Sequence, residues 1–191
     1  VAAIIPWNFP FLMACWKLAP ALAAGCTVVL KPAEQTSLSA LYLCELIGEA
    51  NFPDGVVNII TGEGQSTGSA LITHPDINKI SFTGSTEVGQ IIGRAAMDNM
   101  ARVTLELGGK SPMIVLADCD PEKAAQGAAA AIFFNHGQTC SAGSRLYVHR
   151  SISDKVLDRL AELAEAIPLG PGLDPDTQMG PLVSRVQLDR V

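Results

Sequence analysis

The sequence predicts an α/β protein: a doubly wound, Rossmann-like parallel sheet followed by the start of a second α/β domain. Two observations carry this. Short runs rich in β-branched residues alternate with helical patterns along the 191 residues, and the alternation restarts after Gly108-Gly109. Strand, helix, strand at such spacing favours parallel pairing, because a parallel crossover needs a helix-length connection. A boundary near Gly108 divides the chain into 1–107, read as part of a cofactor-binding domain, and 108–191, read as the beginning of a catalytic domain.

The elements follow in order. "TVVLK" (27–31) is a buried strand, and "TSLSALYLCELIGEA" (36–50) has Ser/Thr at its start and apolar residues at helical spacing. "NFPDG" is a turn, "GVVNII" (55–60) a strand, and "GEGQSTGSALIT" a glycine loop running into a short helix. "NKISFTG" (78–84) is a strand, "STEVGQIIGRAAM" a helix and "RVTLEL" (102–107) a strand. Beyond the boundary, "MIVLA" (113–117) is a strand, and "DPEKAAQGAAAAIFF" is a helix with Asp120 as N-cap and Pro121 at its first position. "SRLYVH" is a strand, "SDKVLDRLAELAEAI" an amphipathic helix and "PLGPGLDPDTQMGP" a long loop.

The formal charge of −6 argues against a nucleic-acid partner, which needs a basic face. The uncharged stretch Val1–Trp16 holds Pro6, Asn8 and Pro10, so it is neither a signal peptide nor a spanning helix. Starting without methionine and stopping in mid-pattern, the chain reads as an internal fragment of a longer protein. Cys15, Cys26, Cys44, Cys119 and Cys140 form no C-x-x-C pair and no ligand cluster with the three histidines. A disulfide framework or metal site is not expected, and a reducing cytoplasm is the default location. Burial is the expected role for Cys15, Cys26, Cys44 and Cys119.

The strand ends carry the chemistry. Lys31 and Glu34 in "LKPAEQT" read either as a solvated charge pair or as a grip on a ribose diol, where the carboxylate would favour NAD over NADP. Gly62, Gly64 and Gly68 form G-x-G-x-x-x-G, one residue off the dinucleotide fingerprint. Gly84 and Ser85 open a helix whose N–H groups and dipole suit a phosphate, although glycine before a helix also serves turns. Glu106 ends an apolar strand before two glycines, and reads as a partner of Lys110 or as a general base raised in pKa by burial. Asn8, between two prolines, is a turn residue or a fixed oxyanion donor. Cys140 in "FFNHGQTC" either packs or attacks.

"PWNFP", "KPAEQT", "FTGSTEVG", "LELGGKSP" and "FFNHGQTC", in this order and spacing, closely resemble the NAD(P)-dependent aldehyde dehydrogenase superfamily over the whole chain. The resemblance implies oxidation of an aldehyde to a carboxylic acid, with Cys140 as nucleophile, passing through a thiohemiacetal and a thioester. It gives the oxyanion to the Asn8 amide and the Cys140 backbone N–H, and water activation to Glu106. The cofactor would be NAD, with NADP the other candidate. Lys31 and Glu34 would hold the adenosine ribose, Gly64 and Gly68 would admit the adenosine half, and Gly84 with Ser85 would meet the pyrophosphate. Ile4, Ile5 and Trp7 would line the cleft, with Phe82, Val88 and Leu107 among the cofactor contacts. A small-molecule aldehyde, no membrane or nucleic-acid partner, and a homodimer or homotetramer complete what the resemblance implies. His136, which many relatives replace, leans toward the phenylacetaldehyde-oxidising branch. Two other readings compete: a cysteine hydrolase using Cys140 and His136, and a dinucleotide-binding scaffold that has lost its chemistry.

Overall fold

A computed structural model describes residues 1–191 as two compact units, Val1–Leu107 and Gly108–Val191. The first unit is built on a five-stranded parallel sheet. Strand β1 (Ala2–Ile4) lies at its centre, flanked by β2 (Val28–Lys31) and β4 (Lys79–Gly84), with β3 (Val57–Ile59) outside β2 and β5 (Arg102–Leu107) outside β4. Helices α1 (Pro10–Ala23) and α2 (Leu38–Glu49) cover one face, and α3 (Ser69–Ile72) and α4 (Thr86–Asp98) the other. The period-2 alternation of β1 decides which residue faces which layer. Ala3 and Ile5 pack with Leu30, Met13, Ala14 and Leu18, while Ala2 packs with Ile80, Phe82, Ile92 and Ala96. Leu30, Ile80 and Ile92 are fully buried side chains, and each contributes about 1.5–3 kcal/mol by leaving water.

The sequence patterns anticipate β2 through β5 to within two residues, but not β1 or α1. A three-residue strand of two alanines and one isoleucine carries little β signal of its own. It is a strand because it pairs on both sides, Ala2 with Val29 and Ile80, and Ile4 with Lys31 and Phe82. Alanine at this position lets helices lie close to both faces. Helix α1 starts with Pro10 at its first turn, where the missing N–H would have had no partner.

Two expectations need correction. Glu106 does not sit on a buried strand: β5 is the outermost strand of the sheet, and Glu106 is exposed. Cys119 is exposed as well, because it lies in the turn that closes with Cys119 N–H donating to the Leu116 carbonyl at 3.2 Å. Cys15, Cys26 and Cys44 are half-buried.

In the second unit, β6 (Pro112–Val115) and β7 (Arg145–Val148) pair in parallel, joined through α5 (Pro121–Phe133). Asp120 caps α5 as expected, its Oδ1 accepting from the N–H groups of Glu122 at 2.9 Å and Lys123 at 3.2 Å. Helix α6 (Ser153–Glu165) packs on α5 and is tied to it by Arg159, whose Nε donates to Glu122 Oε2 at 2.8 Å. Residues 168–181 form the expected loop, with Leu169 and Met179 bridged at its neck, and α7 (Arg185–Arg190) follows. No helix of the chain is long and apolar enough to cross a membrane.

Candidate functional site

In the first unit the chain winds from β1 outward to β2 and β3, then returns to place β4 and β5 on the other side of β1. The strand order reverses between β1 and β4, and ligands of doubly wound sheets bind at the carboxyl ends of the strands at such a point. A cavity of about 190 Å³ opens there, lined by Ile4, Lys31, Gly64, Gly68 and Val88. These are five of the twelve residues singled out for cofactor contact. Ile72 and Ile92 add an apolar floor. A larger concavity of about 740 Å³, lined by Thr27, Asn58, His74 and Asn78 among others, lies at the opposite ends of the strands. It holds none of the residues singled out by sequence, so the smaller cavity is the candidate.

Lys31 ends β2 with its side chain 4 % exposed. Its Nζ donates to Glu34 Oε1 at 3.0 Å and to the Pro32 carbonyl at 3.2 Å. Burial alone would push the Glu34 carboxyl up. Against it stand the residue's own backbone N–H, the hydrogen bond and charge of Lys31, and the Gly64 N–H, which together hold Glu34 below the usual carboxylate value. Glu34 is thus an anion held by Lys31 and Gly64, two residues that line the cavity. Gly64 and Gly68 both lie beside the Lys31–Glu34 pair. Gly64 to Gly68 form one wide turn leading into α3. A Cβ at Gly64 would face Glu34 Oε1 at 3.9 Å, and one at Gly68 would meet the Lys31 stem at 3.8 Å.

At the next strand end, Ser85 caps α4, its Oγ accepting from the Val88 N–H at 3.3 Å. A Cβ at Gly84 would fall 2.5 Å from the Phe82 ring, and one at Gly89 would fall 2.5 Å from Leu107 Cδ2. Phe82 and Leu107 therefore pack beneath glycines that leave them room. Ile5 is buried, with its N–H donating to the Lys31 carbonyl at 3.1 Å. Trp7 and Asn8 are half-buried in the turn between β1 and α1.

Lys17 is a residue the sequence reading does not single out. It projects from the inner face of α1, is 9 % exposed, and donates from Nζ to Ser81 Oγ at 3.1 Å. Burial brings its pKa down to about 8, against the charge of Glu106 and with the charge of Lys79. The one available signal is a single cation within the apolar run "FLMACWKLAPALA".

Asn8 and Glu106 belong to the first unit and Cys140 to the second. Cys140 is exposed, on a loop that leaves α5 through three successive left-handed residues: Asn135 (φ 49°), His136 (φ 62°) and Gly137 (φ 71°). The buried Gln138 follows them, its Oε1 accepting from the Val183 N–H at 3.2 Å. Gly109 lies so close that a Cβ there would stand 3.2 Å from the Cys140 carbonyl oxygen. Arg145 Nε donates to the Lys110 carbonyl at 2.6 Å, holding the same turn. Both ring nitrogens of His136 are buried without a hydrogen-bond partner. The Cys140–His136 pair that a hydrolase would use is therefore not formed.

The sequence model of the aldehyde dehydrogenase family matches residues 1–191. The chain is 62 % identical over 191 residues to phenylacetaldehyde dehydrogenase of Pseudomonas fluorescens, covering 100 % of this chain and 38 % of that protein. It is 53 % identical over 190 residues to retinaldehyde dehydrogenase 3 of Homo sapiens, covering 99 % of this chain and 37 % of that one. Among solved structures, the NAD+ complex of aldehyde dehydrogenase from Bacillus cereus superposes with a TM-score of 0.97 at 53 % identity, over 99 % of this chain and 38 % of that chain. The chain thus spans about two fifths of the length of the relatives it matches.

Proposed function

Because the chain belongs to the aldehyde dehydrogenase family along its whole length, we propose that the protein oxidises an aldehyde to a carboxylic acid with NAD. The observation that carries this is the Lys31–Glu34 pair, 3.0 Å apart, whose lysine lines the apolar cavity at the carboxyl ends of β1 and β2. A fixed carboxylate accepts from the two hydroxyls of an unmodified ribose and repels a 2′-phosphate. The cavity's isoleucine and valine walls suit a flat aromatic ring. Gly84 and Ser85 at the start of α4 are the proposed pyrophosphate contact, with Ile5, Trp7, Phe82 and Leu107 completing the cleft.

The chemistry is assigned to three residues. The Cys140 thiolate attacks the carbonyl carbon, forming an S–C bond and moving an electron pair onto oxygen. The Asn8 amide and the Cys140 backbone N–H hold that oxyanion. When bound, the nicotinamide of NAD supplies the acceptor for the hydride that leaves the former aldehyde carbon. Cys140 then carries a thioester, and Glu106 takes a proton from the water that attacks it, releasing the acid and the free thiol. The exposure of Cys140 and Glu106 supports roles that need access to substrate and water. Similarity to the Pseudomonas fluorescens protein supports an arylacetic aldehyde as substrate. We assign a cytoplasmic homodimer or homotetramer; the exposed apolar side chains Met97 and Met100 support the assembly.

The test is NADH formation by the protein expressed from its full native reading frame, with NAD or NADP and a panel of aliphatic and arylacetic aldehydes. Turnover supports the reading. Tight NAD binding without turnover would favour a scaffold that has lost its chemistry, and no NAD binding would overturn the reading.

A further inference from the structure

We propose that Gln138 is a positioning residue that holds Cys140 in its reactive conformation by tying the nucleophile loop to the 168–183 segment; this rests on the role of Cys140 given above. Non-glycine residues in the left-handed region persist only where their surroundings over-determine them, and here Asn135 and His136 occupy it in succession. Three hydrogen bonds close the turn on itself. Gln138 N–H donates to the Asn135 carbonyl at 3.0 Å, Asn135 Nδ2 donates to the Gln138 carbonyl at 3.3 Å, and Gln138 Nε2 donates back to the Asn135 carbonyl at 3.4 Å.

Those bonds are local and would move with the loop. The contact that anchors it is long-range: Gln138 Oε1 accepts from the Val183 N–H at 3.2 Å, across 45 residues. The residue is 9 % exposed and both ends of its amide are taken up by protein, so removing the side chain leaves the half-buried Val183 N–H without this partner, while the Asn135 carbonyl keeps the Gln138 backbone N–H. The 168–183 segment can act as an anchor because it is itself ordered. Gly170 N–H donates to the Met179 carbonyl at 3.2 Å and Met179 N–H to the Pro168 carbonyl at 3.1 Å, closing its neck. Gly180 also lies against His136, where a Cβ would stand 3.6 Å from Nε2. Only Thr139 separates Gln138 from Cys140, so the orientation of Gln138 passes to the thiol through two peptide planes.

The experiment uses the protein expressed from its full native reading frame. Gln138→Met keeps the length of the side chain and removes both hydrogen-bonding ends. Gln138→Glu keeps the acceptor for Val183 and loses the donor to Asn135. Two quantities are read: kcat with the KM for NAD, and the rate of Cys140 alkylation by iodoacetamide, with Cys15, Cys26, Cys44 and Cys119 as references in the same peptide digest. Gln138→Met is expected to lower kcat tenfold or more and to change the Cys140 alkylation rate fivefold or more. The KM for NAD and the four reference cysteines should stay within twofold. Gln138→Glu should recover to within threefold of wild type on both readouts. Wild-type kcat and alkylation in Gln138→Met, or a Gln138→Glu as impaired as Gln138→Met, overturns the proposal. Should Gln138→Met fail to fold, Val183→Pro removes the donor at the other end of the contact and is judged on the same readouts. The alkylation comparison needs no turnover, so it stands apart from failure of the dehydrogenase reading, which absence of NADH formation exposes, and from failure of the nucleophile role, which Cys140→Ala exposes by retaining activity.

Discussion

Lys31 and Glu34 meet at 3.0 Å as an unequal pair: the lysine side chain is 4 % exposed and the glutamate 44 %. The cation is buried and the anion exposed, so the pair presents a carboxylate whose charge is already balanced from behind. Glu34→Gln removes the negative charge and leaves the amide able to donate. The ratio of kcat/KM for NADP to that for NAD should rise about tenfold, the equivalent of about 1.4 kcal/mol. An unchanged ratio means that the ribose is held elsewhere.

Cys140→Ala should abolish aldehyde oxidation while leaving the Kd for NAD within about twofold, since the assigned cofactor residues all lie in the other unit. Isothermal titration beside an NADH assay checks both halves.

Glu106→Gln should slow release of the acid more than formation of NADH. Rapid mixing is then expected to give a burst of NADH equal to the active sites, followed by a slow steady state. A uniformly slow reaction without a burst would refute the hydrolytic role.

Gly109→Ala should damage the reaction from outside the reacting groups. The added Cβ would stand 3.2 Å from the Cys140 carbonyl oxygen, and relieving that contact means shifting backbone. Overpacking of this kind costs about 1–3 kcal/mol. Denaturant unfolding should show the loss, and kcat should fall with the KM for NAD unchanged.

Lys17 predicts a pH dependence of stability. Its folded-state pKa of about 8 lies below the ordinary 10.5, so between these values the unfolded chain binds more protons than the folded one. Stability therefore rises with pH across that window; below about 8 the lysine is charged in both states and the burial penalty is constant. Denaturant midpoints measured from pH 7 to 10 for wild type and Lys17→Met should keep a constant gap below about 8 that closes toward 10. Parallel curves would show that Lys17 is not held as the structure places it. Glu34 works in the opposite sense: its lowered pKa stabilises above the usual carboxylate value, and that contribution is lost as pH falls through the folded value.

The sequence by itself determined what is carried by local pattern and by residue type. The alternation of β-branched and helical runs specified β2 to β5 and the restart after Gly108, and Asp120-Pro121 specified the start of α5. The placement of Lys31 and Glu34 at the end of β2, and of Gly64 and Gly68 in the loop before α3, was legible from the strand and glycine patterns. Tertiary structure alone decided which residues converge and which are covered. Ala2–Ile4 is the central strand only through its two neighbours. Glu106 is exposed although it ends an apolar strand, and Lys17 is buried only because α1 lies against the sheet. Gln138 reaches Val183 across a separation that no local periodicity encodes. Burial and long-range hydrogen bonds depend on what the rest of the chain brings alongside a residue, and a linear pattern records only the residue's own preference.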